Sequence, residues 1–242
     1  MAAALTAPKN QIAAVVFDLF GTLVPEFPLE EFLAVLAGMA HILGLDREAF
    51  KGAWDEAAIS RQTGALGDME ANVLAICERL GTAPSRSALA DAMELRGAMY
   101  RKWFHPAPGA AETLKELKRR GYPIGLISMC TPDAPGMWRG TELARLVDVA
   151  VFSSEVGLRK PDPAIYLYAA ERLNIDPDAC LYCGDGSYGE LSGAAAVGMK
   201  PLLIRDPDER IEMLRPEVED WTGQTIGALA ELLEVLPGPR PS

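Results

Sequence analysis

Short β-branched apolar runs alternate with amphipathic segments of helical length along much of this chain, and few folds accommodate that alternation. The first run, residues 12–19 (IAAVVFDL), carries an acid near its end and opens into Gly21-Thr22. It reads as a buried strand entering a loop, the usual start of a parallel sheet. From position 110 the alternation becomes regular. Residues 110–120 are helix-patterned and closed by Gly121, and 122–128 (YPIGLIS) read as a strand. A helix is expected over 135–146, a strand over 147–152, a helix over 162–173, a strand over 179–183, a helix over 188–197 and a strand over 201–204. Repeated units of this length imply an α/β fold, a Rossmann-like parallel sheet covered by helices on both faces.

Between the first strand and this series the chain changes character. Leu29, Phe32, Leu33, Leu36, Met39, Ala40 and Leu43 follow helical spacing and stop at Gly44. Asp46 reads as the N-cap of a second helix bearing Phe50, Ala53 and Trp54. A third begins at Asp68 and places Met69, Val73, Ile76, Cys77 and Leu80 on one face; a fourth runs over 85–104. No strand signal interrupts the block. The expected organisation is therefore an α/β core, residues 1–24 and 106–242, with an all-helical cap, residues 25–105, inserted after the first strand. Only the closing PGPRPS, residues 237–242, reads as frayed.

Composition narrows the partners. At 242 residues with 49% hydrophobic content, the chain can bury roughly 70–75% of its unfolded surface without disulfides or a structural metal. Its 23 basic and 34 acidic residues give a net charge of −11, which repels a phosphate backbone and argues against nucleic-acid binding. The N-terminus lacks a secretory pattern, and the longest mostly apolar stretch, 14 residues over 32–45, contains His41 and is too short to span a bilayer. A cytoplasmic protein without a membrane partner, either monomer or homodimer, is expected. An anionic small-molecule substrate would need a local cation, a metal or a lysine.

In an open parallel sheet, ligands bind at the carboxyl ends of the strands. Those ends deliver Asp18, Ser128, Lys160 in the loop after the 147–152 strand, and Asp185 within Gly184-Asp185-Gly186. Each alone has an ordinary structural reading, as a turn or cap residue or a solvated lysine. Together, two carboxylates, a hydroxyl and an ammonium on one rim suit a Mg²⁺ ion and a phosphoryl group.

These residues resemble the haloacid dehalogenase superfamily, with its helical cap of the first type. Asp18-Leu19-Phe20-Gly21-Thr22-Leu23 resembles the first motif, Leu126-Ile127-Ser128 the second, Arg159-Lys160-Pro161-Asp162-Pro163 the third, and Gly184-Asp185-Gly186 with Glu190 the fourth. The resemblance implies a hydrolase with Asp18 as nucleophile and a covalent aspartyl intermediate. It implies Mg²⁺ held by Asp18, the Phe20 carbonyl, Asp185 and Glu190, the last directly or through water. Ser128 and Lys160 would be catalytic and hold the phosphoryl oxygens, with Thr22 and Met129 beside the substrate. The expected activity is that of a phosphatase of a small phosphorylated metabolite.

One departure divides the family's chemistries. The phosphatases carry a second Asp two residues after the nucleophile, an acid/base contributing typically around 10²–10⁴-fold; this chain has Phe20. An acyl or aryl phosphate would need little protonation on leaving. Haloacid dehalogenases also lack that Asp, and an aromatic residue is common there. They use no metal, however, they lack Gly-Asp-Gly, and they present a cap arginine, for which Arg47 and Arg61 are the nearest candidates. Phosphonoacetaldehyde hydrolysis would need a cap lysine, Lys51 or Lys102, and a member binding a phospho-ligand or partner without catalysis would need no acid. Other features read as structure. Cys180 and Cys183 should point to opposite faces of a strand, and His41 should be solvated. His105, at the return from cap to core, is a candidate substrate contact, and Trp54, Tyr100 and Trp103 are candidates to line the cap's inner face.

Overall fold

A computed structural model describes residues 12–208 and 212–236; the PGPRPS segment lies outside them. The chain opens with β1 (Ala14–Phe17) and continues through five helices, α1 (Leu29–Ile42), α2 (Arg47–Glu56), α3 (Ala58–Gln62), α4 (Met69–Arg79) and α5 (Arg86–Trp103). Alternation then follows: α6 (Ala110–Arg119), β2 (Ile124–Ser128), α7 (Asp133–Trp138), β3 (Val149–Phe152), α8 (Ser153–Val156), α9 (Pro163–Leu173), β4 (Cys180–Gly184), α10 (Glu190–Ala196), β5 (Lys200–Ile204), β6 (Thr225–Ile226) and α11 (Leu232–Val235).

The strands form one sheet in the order β3-β2-β1-β4-β5-β6, parallel throughout. β1 lies beside both β2 and β4. The chain winds outward from β1 in one direction and then in the other, so the β1/β4 boundary is the switch point where such sheets open a crevice. Side chains alternate between two apolar layers. Val15, Phe17, Leu126 and Cys183 face Leu114 and Leu117 of α6, in a layer continuous with Met39, Phe50, Val73 and Leu89 of the helical segment. Ala14, Val16, Ile127 and Tyr182 face Ile165, Tyr166 and Leu191 of α9 and α10. Cys180 and Cys183 fall in different layers, and all four cysteines are free and buried.

The helix starts follow the sequence closely. Asp46 accepts from the Glu48 and Ala49 amides, Asp68 from Ala71 and Ser85 from Ala88, each satisfying an orphan donor of a first turn. The expected helix over 135–146 is replaced by α7 and a separate 3₁₀ turn at Leu143–Arg145. Gly136 and Gly140 weaken the helix, and Thr141 restarts the chain by accepting from the Ala144 amide. The helix expected from Tyr188 begins at Glu190, because Tyr188 and Gly189 both adopt left-handed backbone.

After β5, the described residues 212–219 lie over the carboxyl end of the sheet. The Leu214 amide donates to the Phe27 carbonyl and the Glu212 carbonyl accepts from Leu29, while the Pro216 carbonyl accepts from Tyr188. Glu219 caps α10 through the Leu191 and Ser192 amides. This strap ties the entry of the helical segment to the loop after β4. Among the described residues, no helix is long and apolar enough to cross a membrane.

Candidate active site

β1 ends just before Asp18, whose amide is held by the Cys183 carbonyl at 2.9 Å. The next residues fold tightly, with the amides of Thr22, Leu23 and Val24 all reaching the Leu19 carbonyl. Gly21 is required there: its φ is +75°, and a Cβ would lie 2.6 Å from Asp185 Oδ2. The loop from β1 is thus pressed against the loop from β4. Gly184 is required for a similar reason, since a Cβ would collide with the Glu190 carboxylate.

The cluster holds three buried carboxylates and two cations, Lys160 buried and Arg215 partly so. Lys160 Nζ bonds to Asp18 Oδ1 and reaches Glu190 Oε2 at 2.6 Å. Glu190 is also bound by the Tyr182 hydroxyl at 2.7 Å and, through Oε1, by the Gly186 amide at 2.9 Å. Asp185 takes the Ser187 amide on Oδ1 at 3.0 Å and Arg215 Nε on Oδ2 at 2.8 Å. Ligand oxygens of Asp18, Asp185 and Glu190 lie within 4.8 Å of one another. Burial raises the Asp18 carboxyl well above the usual range; Lys160 opposes that shift, while Glu190 and Asp185 add to it. Glu190 is raised for the same first reason. Burial alone would lower Lys160, but Asp18 and Glu190 hold it up at about 12.

Clustered buried carboxylate oxygens are the donor set a hard divalent cation takes. Beside them, the Thr22 and Ser128 hydroxyls are buried and have no hydrogen-bond partner in the protein. Buried polar groups are normally satisfied, so this pair fits an oxyanion. The donors present therefore fit Mg²⁺ and a phosphoryl group together.

Asp18 opens into a cavity of about 440 Å³ between the sheet edge and the helical segment. Phe20, Met129, Trp54 and Tyr100 line it, together with Glu26, Arg61 and Arg96. Burial, reinforced by Asp185, raises the Glu26 carboxyl well above its ordinary range.

Several sequence candidates stand away from this site. Trp103 donates to Glu31 at 3.0 Å and does not line the cavity. His105 is exposed and sits by the Pro106 carbonyl, so it is not a cavity residue. His41 is exposed, as expected. Arg47 is exposed beside Glu48, while Lys51 and Lys102 pair with Asp55 and Glu31, so neither lysine is placed for a Schiff base. Arg61, by contrast, is buried in the cavity wall. Sequence reasoning missed Glu26, Arg96, Tyr182 and Arg215. Only Tyr182, two residues before Gly184 on a strand with a fixed face, carried a local signal.

Comparison with known proteins places this arrangement. A family model for haloacid dehalogenase-like hydrolases matches residues 12–198. A glyceraldehyde 3-phosphate phosphatase from Pyrococcus furiosus is 31% identical over 137 residues, 55% of each chain, so this chain spans about half the length of that relative. The (S)-2-haloacid dehalogenase 4A of Burkholderia cepacia is 26% identical over 200 residues, covering 81% of this chain and 84% of that one. Among solved structures, a HAD phosphatase from Thermococcus onnurineus superposes with a TM-score of 0.66 at 24% identity, over 95% of this chain and 100% of that one, a likeness of fold. With four motifs converging on one sheet edge and the family model matching most of the chain, this protein belongs to the haloacid dehalogenase-like hydrolases.

Proposed function

We propose that the chain is a Mg²⁺-dependent phosphatase of a small phosphorylated metabolite, working through an aspartyl-phosphate on Asp18. The observation that carries this reading is the buried grouping of Asp18, Lys160, Asp185 and Glu190 beside the unpartnered Thr22 and Ser128 hydroxyls. Asp18 would attack phosphorus, forming an Asp18–phosphorus bond as the bond to the leaving oxygen breaks. Water would then attack the same phosphorus, releasing phosphate and restoring the carboxylate. Ser128 and Thr22 would donate to phosphoryl oxygens, and Lys160 would offset their charge while holding Asp18 in line. Met129 lines the same wall. Bound Mg²⁺, held by Asp18, Asp185 and the Phe20 carbonyl, supplies charge stabilisation at the transferring oxygens. Glu190, whose two oxygens are both engaged by protein donors, would fix Lys160 beside that site. Residues 25–105 would act as a cap closing over the cleft, with hinges near 24–28 and 105–108.

Phe20 cannot protonate a leaving alkoxide, which favours acyl or aryl phosphates. Its aromatic surroundings and the dehalogenase relative also support a second reading, attack of Asp18 on a carbon bearing halogen. A paired assay with and without Mg²⁺ separates the two, following phosphate release from acetyl phosphate and p-nitrophenyl phosphate and chloride release from 2-chloropropionate. Metal-dependent phosphate release is expected, and metal-independent chloride release would overturn the phosphatase reading. Asp185→Asn is expected to weaken Mg²⁺ binding and turnover together; full metal-free activity in that variant would contradict the assignment.

A further inference from the structure

The wall of the cavity facing Asp18 carries a charge imbalance that the reaction at Asp18 does not use. Arg61, at the end of α3, is 5% exposed, and Arg96, in α5, is 1% exposed. Both guanidinium groups lie over the Trp54 ring, at 4.0 and 5.1 Å from its centroid. Arg96 has a carboxylate partner, Asp133, at 2.8 Å, and also donates to Tyr100 and Thr131 at 3.0 Å. Its Nη1 nonetheless remains buried and without a partner. Arg61 donates through Nε and Nη2 to a single acceptor, the Trp54 carbonyl, at 3.3 and 3.1 Å.

No carboxylate of the described residues lies within ion-pair distance of Arg61. Of the other acids lining the cavity wall, Asp55 pairs with Lys51, Glu56 with Arg79 and Glu217 with Arg159, while Glu26 accepts from the Phe27 amide and pairs with neither Arg61 nor Arg96. Of the two buried guanidinium groups, only Arg96 thus has a carboxylate partner. Burial, with Arg96 alongside, lowers Arg61 to about 10, which still leaves it charged at neutral pH. A buried charge without a counter-ion is strongly unfavourable, and a neutral side chain could hold the Trp54 carbonyl without that penalty. Arg61 and Arg96 both border the space into which Asp18 opens.

We propose that Arg61 and Arg96 bind a second acidic group, a carboxylate or phosphate carried by the leaving portion of the substrate, across an apolar span lined by Phe20, Phe27 and Tyr100. The substrate is then a phosphate ester or anhydride with an anionic tail. This inference rests on the phosphatase reading for its reacting end, but the recognition it describes is measured separately.

Binding is read by titration calorimetry in the full-length Asp18→Asn variant with Mg²⁺, which removes turnover. The probes are ethyl phosphate against 2-phosphoglycolate, and phenyl phosphate against 4-carboxyphenyl phosphate and 1,4-phenylene bisphosphate. The doubly acidic member of at least one set is expected to bind about tenfold or more tightly, the scale of a charge-assisted hydrogen-bonded pair; which acid wins identifies the tail. Adding Arg61→Met should remove most of that preference, and Arg61→Lys should restore part of it. Equal affinity within every set, or no binding of any probe, overturns the proposal even if Arg61→Met proves unstable, because the comparison is already made with Arg61 in place. Turnover of the same compounds by the native protein reports the phosphatase reading alone. A binding preference without turnover would count against that reading while keeping the second anion site at Arg61 and Arg96.

Discussion

Phe20 stands two residues beyond Asp18, with its ring among Phe27, Tyr100 and Phe104 at centroid distances of 5.4, 6.2 and 5.7 Å. It therefore acts as packing between the core loop and the helical segment as well as lining the cleft. Phe20→Asp is expected to give two opposed effects. The half-buried aromatic contact is worth about 2 kcal/mol, so Tm should fall by roughly 4–8 °C. Hydrolysis of an alkyl phosphate should rise relative to acetyl phosphate, on the order of 10²-fold if the missing acid alone limits it. An unchanged ratio, read from steady-state rates on the two substrates, would show that another group already supplies the proton. At this scale the sequence was legible wherever residues are fixed by a strand end. Asp18, Ser128 and Asp185 could be placed together because each closes a strand of one sheet, and Lys160 because it follows β3 closely. Arg96, Glu26 and Arg215 could not be, since their positions depend on how loops and helices distant in the chain meet, and Arg61 could be named only as one of two candidate cap arginines. Arg215 reaches Asp185 across 30 residues, and nothing local to either marks the pair.

The elements divide in the same way. Where a helix begins with its own cap, the sequence states its start. Asp46→Ala should destabilise by about 1 kcal/mol by freeing the Glu48 and Ala49 amides, lowering Tm by roughly 2–4 °C in a thermal melt. Where glycines interrupt a weak amphipathic pattern, as at Gly136 and Gly140, the expected helix splits. β6 was not foreseen, because two residues, Thr225 and Ile226, pair with β5 without a pattern long enough to read. The strap after β5 is held mainly by backbone hydrogen bonds to Phe27, Leu29 and Tyr188, which any sequence can make. Yet it delivers Arg215 to Asp185 Oδ2, where the guanidinium and a bound cation would compete for one oxygen. Arg215→Met is expected to bind Mg²⁺ several-fold more tightly by titration calorimetry. Unaltered affinity would show that the guanidinium leaves Oδ2 without penalty.

Across the whole molecule, a net charge of −11 works against any anionic substrate, so the anionic substrate proposed above would need local buried cations. Lys160 is buried against Asp18, and Arg61 and Arg96 border the cavity into which Asp18 opens; in the proposed function these three would carry recognition. The sheet order explains why the site lies where it does. With β1 between β2 and β4, the strand ends bearing Asp18, Ser128 and Asp185 are immediate neighbours, and the inserted helices cover the crevice they open. The central claim, phosphoryl transfer through Asp18, is tested most directly by an acid-quenched single turnover of acetyl phosphate with Mg²⁺, followed by mass analysis of the peptide containing Asp18. A phosphoryl adduct on that peptide, absent in Asp18→Asn, is the predicted result. Phosphate release with no adduct at any time, or an alkyl ester on Asp18 formed from 2-chloropropionate without metal, would contradict it.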